Sequence, residues 1–126
     1  MEIVISLRLG SRTKAPEIFL AELGMPADKS WRLGDRRGNT RLTERENGYE
    51  FIAEANPNAS IDEQAAALLV RLDPVLDRIA QNAYDFVQLV CVVYSPSPPA
   101  LNFPSDVIRK LGQIGASIDV DMYLVE

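Results

Sequence analysis

The sequence predicts an α+β domain on a ferredoxin-like βαββαβ plan, a mostly antiparallel sheet with one further C-terminal helix and strand. Three observations carry this. Ile3, Ile5, Leu7 and Leu9 alternate with less apolar neighbours, the period of a half-buried strand. From Ser60 onward, Ile61, Ala65, Leu68, Leu69, Leu72, Leu76 and Ile79 recur at helical spacing. Residues 85–94 are so uniformly apolar that they read as a central strand.

Taken in order, residues 2–9 form the first strand and residues 10–15 a polar turn. Pro16 suits a helix start, where its missing N–H costs nothing, and Gly24 suits the stop, so a helix spans 16–23 with Ile18, Phe19 and Leu23 inward. Trp31-Arg32-Leu33 is a short strand, followed by the loop Gly34 to Asn39. A turn at Asn47-Gly48 precedes a strand over 49–53, in which Tyr49, Phe51 and Ala53 share a face. Asn56-Pro57-Asn58 breaks the chain. Ser60 and Glu63 then stand as N-cap and N3 of a capping box. Asp73-Pro74 interrupts that long helix with either a kink or a fresh start capped by Asp73, because proline removes a backbone donor and crowds the preceding turn. After the strand over 85–94 comes a rigid extended connection, Ser95 to Pro99. A helix over 104–114 with Val107, Ile108, Leu111 and Ile114 inward follows, and the last strand covers 117–124.

A length of 126 residues fits a single domain, 1–126, with a real core. Apolar residues make up 47% and charged ones 25%, an ordinary globular composition. No apolar run approaches the roughly 20 residues that cross a bilayer. Met1 to Arg8 do not read as a signal peptide, so a cytoplasmic location and no membrane partner are expected. The single cysteine, Cys91, permits no internal disulfide and sits in an apolar run without basic neighbours, the setting of a small buried hydrophobe. Histidine is absent, which removes Ser-His and Cys-His nucleophile pairs and any imidazole base or metal ligand. Zinc, other cofactors and enzymatic activity are therefore not expected. Gly34 to Gly38 has neither the Walker nor the Rossmann spacing of a phosphate-binding loop.

Charge is unevenly spread. Residues 1–48 hold nine basic residues against seven acids, while residues 49–126 hold four against eleven. Lys29, Arg32, Arg36, Arg37, Arg41 and Arg45 concentrate the basic charge, but the net charge of −5 and the presence of only one aromatic, Trp31, within residues 29–45 speak against nucleic acid. In the last strand, Asp119, Asp121 and Tyr123 line one surface, and Ile118, Val120 and Met122 the other.

Several motifs together resemble one family. Trp31 precedes the pair Gly34-Asp35, and Tyr49 opens a middle strand where the family often has tryptophan. Leu72-Asp73-Pro74 lies within a long helix, Pro99-Ala100-Leu101 makes a turn, and Gly115 to Tyr123 follows a Gly-x-x-x-Asp-x-Asp-x-Tyr pattern. The chain resembles DUF4279 over nearly its whole length. That resemblance implies a small bacterial α+β domain and little about activity.

Two readings of function follow. The first is a small protein-binding domain of the immunity type, one that neutralises a toxin-like protein partner, its acidic C-terminal part steering onto a basic surface. The alternative is a small-ligand or divalent-cation site built by Asp119, Asp121 and Tyr123 with Trp31, Asp35 and Arg36 nearby, hard oxygen ligands suiting Mg²⁺ or Ca²⁺. Against that site stands a purely structural clamp, in which Arg36 or Arg37 pairs with the two aspartates. A sheet covered on one side also leads to the expectation of a homodimer.

Overall fold

The computed structural model describes residues 1–126. The elements run β1 (Glu2–Ser11), α1 (Pro16–Leu23), β2 (Lys29–Trp31), β3 (Asn47–Ile52), α2 (Ile61–Arg71), α3 (Asp73–Gln81), β4 (Phe86–Ser95), α4 (Ser105–Gln113) and β5 (Ser117–Leu124). The protein is α+β, four helices on a five-stranded open sheet of order β2-β3-β1-β4-β5. Neighbours are antiparallel except β4 and β5, which run parallel with α4 as their crossover. The class is α+β as expected, and the further C-terminal helix and strand are present as α4 and β5, although the strand order of the whole sheet differs from that of a simple ferredoxin fold.

Local chemistry explains most boundaries. Pro16 opens α1, and Gly24, at φ 70°, closes it by donating its N–H to the Leu20 carbonyl at 2.7 Å. Ser60 Oγ accepts from the Glu63 N–H while Glu63 Oε1 accepts from the Ser60 N–H, the reciprocal cap anticipated for α2. Asp73-Pro74 does divide the long helical stripe, but the residue at the junction is Leu72, fully buried and without a side-chain cap. Asp73 is instead the first residue of α3.

Four expectations need correction. β2 covers Lys29–Trp31 rather than 31–33, because the N–H of Arg32 goes to Asp35 Oδ2 and that of Leu33 to Asn47 Oδ1, both at 2.8 Å. These side chains take the donors that a longer strand would have used. Asn47-Gly48 is the start of β3 and not a turn: the Asn47 amide also donates to the Ser11 carbonyl at 3.1 Å and fastens the strand end to β1. Ile18 and Ile108 are exposed, each one residue off the buried stripe of its helix. β4 is internal, yet the middle strand is β1, paired on both sides.

The core lies between the helices and one face of the sheet. Ile5, Leu7 and Leu9 of β1, Tyr49 and Phe51 of β3, and Leu89, Cys91 and Val93 of β4 point into it at alternate positions. All seven apolar residues of the stripe from Ile61 to Ile79 meet them. Phe19 sits between two parallel rings, with centroids 5.2 Å from Tyr49 and 5.1 Å from Tyr84. The Tyr49 hydroxyl reaches out of the core to donate to the Met25 carbonyl at 2.7 Å.

Asp28 ties the β2 side of the sheet to α2. Its Oδ2 accepts from Arg71 Nη2 at 2.8 Å and from the Ile52 N–H at 2.7 Å, while Arg71 Nη1 donates to the Ile52 carbonyl. The arginine, then the backbone donor, hold the Asp28 carboxyl below its ordinary value.

Two measurements check this packing. Phe19→Ala is expected to destabilise the fold by about 3–5 kcal/mol in urea unfolding, since it empties a fully enclosed site between two rings. A depressed carboxyl stabilises the folded state above its unfolded pKa of about 3.9, and that contribution is lost as pH falls through the folded value. Thermal melts between pH 5 and pH 3 should therefore fall more steeply for the native chain than for Asp28→Asn.

Candidate binding surface

The six residues singled out in the sequence fall at opposite edges of the sheet. Trp31 lies on β2, with Asp35 and Arg36 in the loop after it, whereas Asp119, Asp121 and Tyr123 lie on β5. Four inter-strand steps of about 4.8 Å separate these edges by roughly 19 Å. They do not form one site.

On the β2 edge the residues have structural work. The Trp31 ring covers Gly48 on the neighbouring strand so closely that a Cβ there would come 2.0 Å from it. Arg8 stacks on the outer face of that ring, its guanidinium carbon 4.9 Å from the centroid. Arg8 Nε lies 3.3 Å from Glu50 Oε2, near enough for an ion pair but not aligned as a hydrogen bond. Ser6 Oγ donates to the same carboxylate oxygen at 2.9 Å. Asp35 closes its own loop, accepting from the Arg32 N–H through its side chain and from the Glu44 N–H through its carbonyl. Arg36 bridges to Thr43, and Arg37 pairs with Glu44 at 3.3 Å. Neither arginine reaches the aspartates of β5, so the clamp is not formed.

The β5 edge is different. Asp119 and Asp121 are exposed and enter none of the ion pairs or side-chain hydrogen bonds of the protein. Register places Asp119 beside Val90, Asp121 beside Val92 and Tyr123 beside Tyr94, with Val4 and Glu2 next across on β1. The two tyrosine rings stack, centroids 5.1 Å apart, yet Tyr123 keeps 52% and Tyr94 37% of its surface in water. The uncovered face of the sheet therefore ends in an apolar and aromatic strip bordered by three acids. Sequence reasoning found the β5 half of it. Val4, Val92, Tyr94 and Glu2 were missed because only the pairing of strands far apart in sequence brings them there.

No three His, Cys, Asp or Glu side chains are arranged to hold a metal ion. The largest cavity, about 600 Å³, is an open groove between α2 and the segment after β3, lined by Ala53, Glu54, Ala59 and Glu63 among others. Arg71 borders it with its guanidinium already committed to Asp28 and Ile52. No helix is long and apolar enough to cross a membrane.

Cys91 faces the core, fully buried, behind this surface. Burial, with the negative charge of Asp119 adding to it, pushes its thiol up to about 11. Cys91 is thus expected to resist a thiol-specific disulfide reagent at pH 8 in the native protein and to react at once in denaturant, followed by absorbance.

Among family models, the one described as Domain of unknown function (DUF4279) matches residues 1–125, as the motifs suggested. No curated protein and no solved structure matches the chain.

Proposed function

The chain belongs to the DUF4279 family, and on that premise we propose that it is a contact scaffold, binding a partner protein with a basic surface through the uncovered face of its sheet. One observation carries the reading: at the β5 end, exposed apolar and aromatic side chains lie beside carboxylates with no partner inside the molecule. Desolvating Tyr94, Tyr123 and Val4 supplies affinity, and Asp119, Asp121 and Glu2 supply orientation and a faster encounter with a cationic surface. The excess of acids over bases in residues 49–126 supports the same sign of partner. An immunity-type role, masking a basic toxin, is the specific form of this proposal.

We infer that β1 to β4, with α1 and the α2–α3 pair, are a split βαβ unit to which α4 and β5 were added. The order β2-β3-β1-β4 with antiparallel neighbours supports it. The binding surface then straddles the join, with Asp119, Asp121 and Tyr123 on the added strand and Tyr94, Val4 and Glu2 on the unit it extends.

A photo-crosslinking residue at Tyr123 tests the function in host cells. The expected product is one stoichiometric adduct with a basic protein, reduced at least about tenfold in yield by Asp119→Lys with Asp121→Lys, since close like charges at an interface cost several kcal/mol. An adduct indifferent to those charges would refute a basic partner. An adduct of twice 14.0 kDa would assign the face to a homodimer instead.

A further inference from the structure

The two edges of the sheet are unequal. β2 is three residues long, and the side chains of Asp35 and Asn47 take the donors just beyond it. β5 is eight residues long, and all of it except Val120 and Met122 is exposed. It contains no proline and no lysine, and its register against β4 is unbroken from Ser117 to Leu124, so there is no bulge. Shortness, proline, lysine and bulges are among the usual means of blunting an edge; β5 uses none of these, and its charges are the two aspartates alone.

Its free backbone groups can be placed. In a parallel pair, one strand's residues alternate between bonding to the neighbour and facing away. Val125 donates to the Ser95 carbonyl at 2.9 Å. Carried back along the regular register, this turns Asp119, Asp121 and Tyr123 toward β4 with their N–H and C=O groups. The backbone groups of Ile118, Val120 and Met122 then point outward along the edge.

A second copy is a poor occupant. Antiparallel pairing of two β5 strands about Val120 sets Asp119 of one copy against Asp121 of the other, twice, and directly opposed like charges destabilise a sheet. The same two carboxylates favour a strand with cations at alternate positions. On the helix side of the strand, Ile118 is 38% and Leu124 64% exposed, so the intervening positions call for apolar side chains.

We propose that β5 is a strand-addition site: an extended segment of a partner protein, alternating basic with apolar residues, pairs along its outer edge. Lys or Arg side chains of that segment meet Asp119 and Asp121 on the uncovered face, and its apolar ones lie beside Ile118 and Leu124. Main-chain hydrogen bonds from Ile118, Val120 and Met122 give affinity, and the alternation gives specificity. This deepens the proposed function, resting on the reading that the β5 end contacts a basic partner.

The probe is a decapeptide alternating lysine with valine, added to the ¹⁵N-labelled protein. In the free protein, the amides of Ile118, Val120 and Met122 should exchange with solvent faster than those of Asp119, Asp121 and Tyr123. The peptide should slow the first three by about tenfold or more, an effect lost when lysine is replaced by glutamate or when alternate peptide nitrogens are methylated. Asp119→Asn with Asp121→Asn, confirmed as folded by its thermal melt, should bind the peptide more weakly. Outward amides already protected in the free protein would overturn strand addition. So would equal binding of the methylated peptide: a methylated peptide that still needs Asp119 and Asp121 refutes the strand while leaving the basic-partner reading in place. No binding by any peptide, with the Tyr123 crosslink to a basic protein intact, does the same. Loss of that crosslink's charge dependence defeats the broader reading instead.

Discussion

Strand β1 exchanges backbone hydrogen bonds with β3 along Ser6 to Ser11 and with β4 along Glu2 to Gly10, so both its edges are satisfied by chain segments distant in sequence. Its alternate residues do two jobs. Ile5, Leu7 and Leu9 form the floor on which α1, α2 and α3 pack, while Ser6 and Arg8 fasten Glu50 on the other side. A one-residue slip in either pairing would turn Leu7 to solvent and Arg8 into the helices. Because burial on one face fixes this register so strongly, it also fixes which side chains share the uncovered face. The position of Tyr94 beside Tyr123 follows from β4 being locked to β1, and β5 to β4.

Two edges with different fates follow from this centre. At one end the chain returns through a loop whose own side chains, Asp35 and Asn47, absorb the backbone donors that end β2. At the other, α4 carries the chain over to lay β5 parallel to β4, at the edge of the sheet. The apolar side of β5 is only partly needed by the core, through Val120 and Met122. Its other side holds acids that nothing inside the molecule neutralises.

The legible parts of the fold were those written in local chemistry. Ser60 and Glu63 announced the start of α2, Pro16 and Gly24 bracketed α1, and Pro74 marked the break that falls at Leu72. The period of two in β1 and the apolar run of β4 were equally plain. What escaped depended on partners remote in sequence. Asn47-Gly48 carries a turn signature, but its local preference yields to the bonds Asn47 makes with Leu33 and Ser11 and to the ring above Gly48. The supposed six-residue site failed for the same reason. Trp31 and Asp121 share no contact, since three strands lie between theirs, and no spacing along the chain reports strand order.

Trp31 and Gly48 form a unit, each fixing the size of the other. The ring occupies the volume that any other side chain at 48 would claim, and Phe86 treats Gly10 the same way on the adjoining pair of strands. Each glycine is thus half of a lock-and-key couple: bulk at the glycine and the large ring opposite exclude one another.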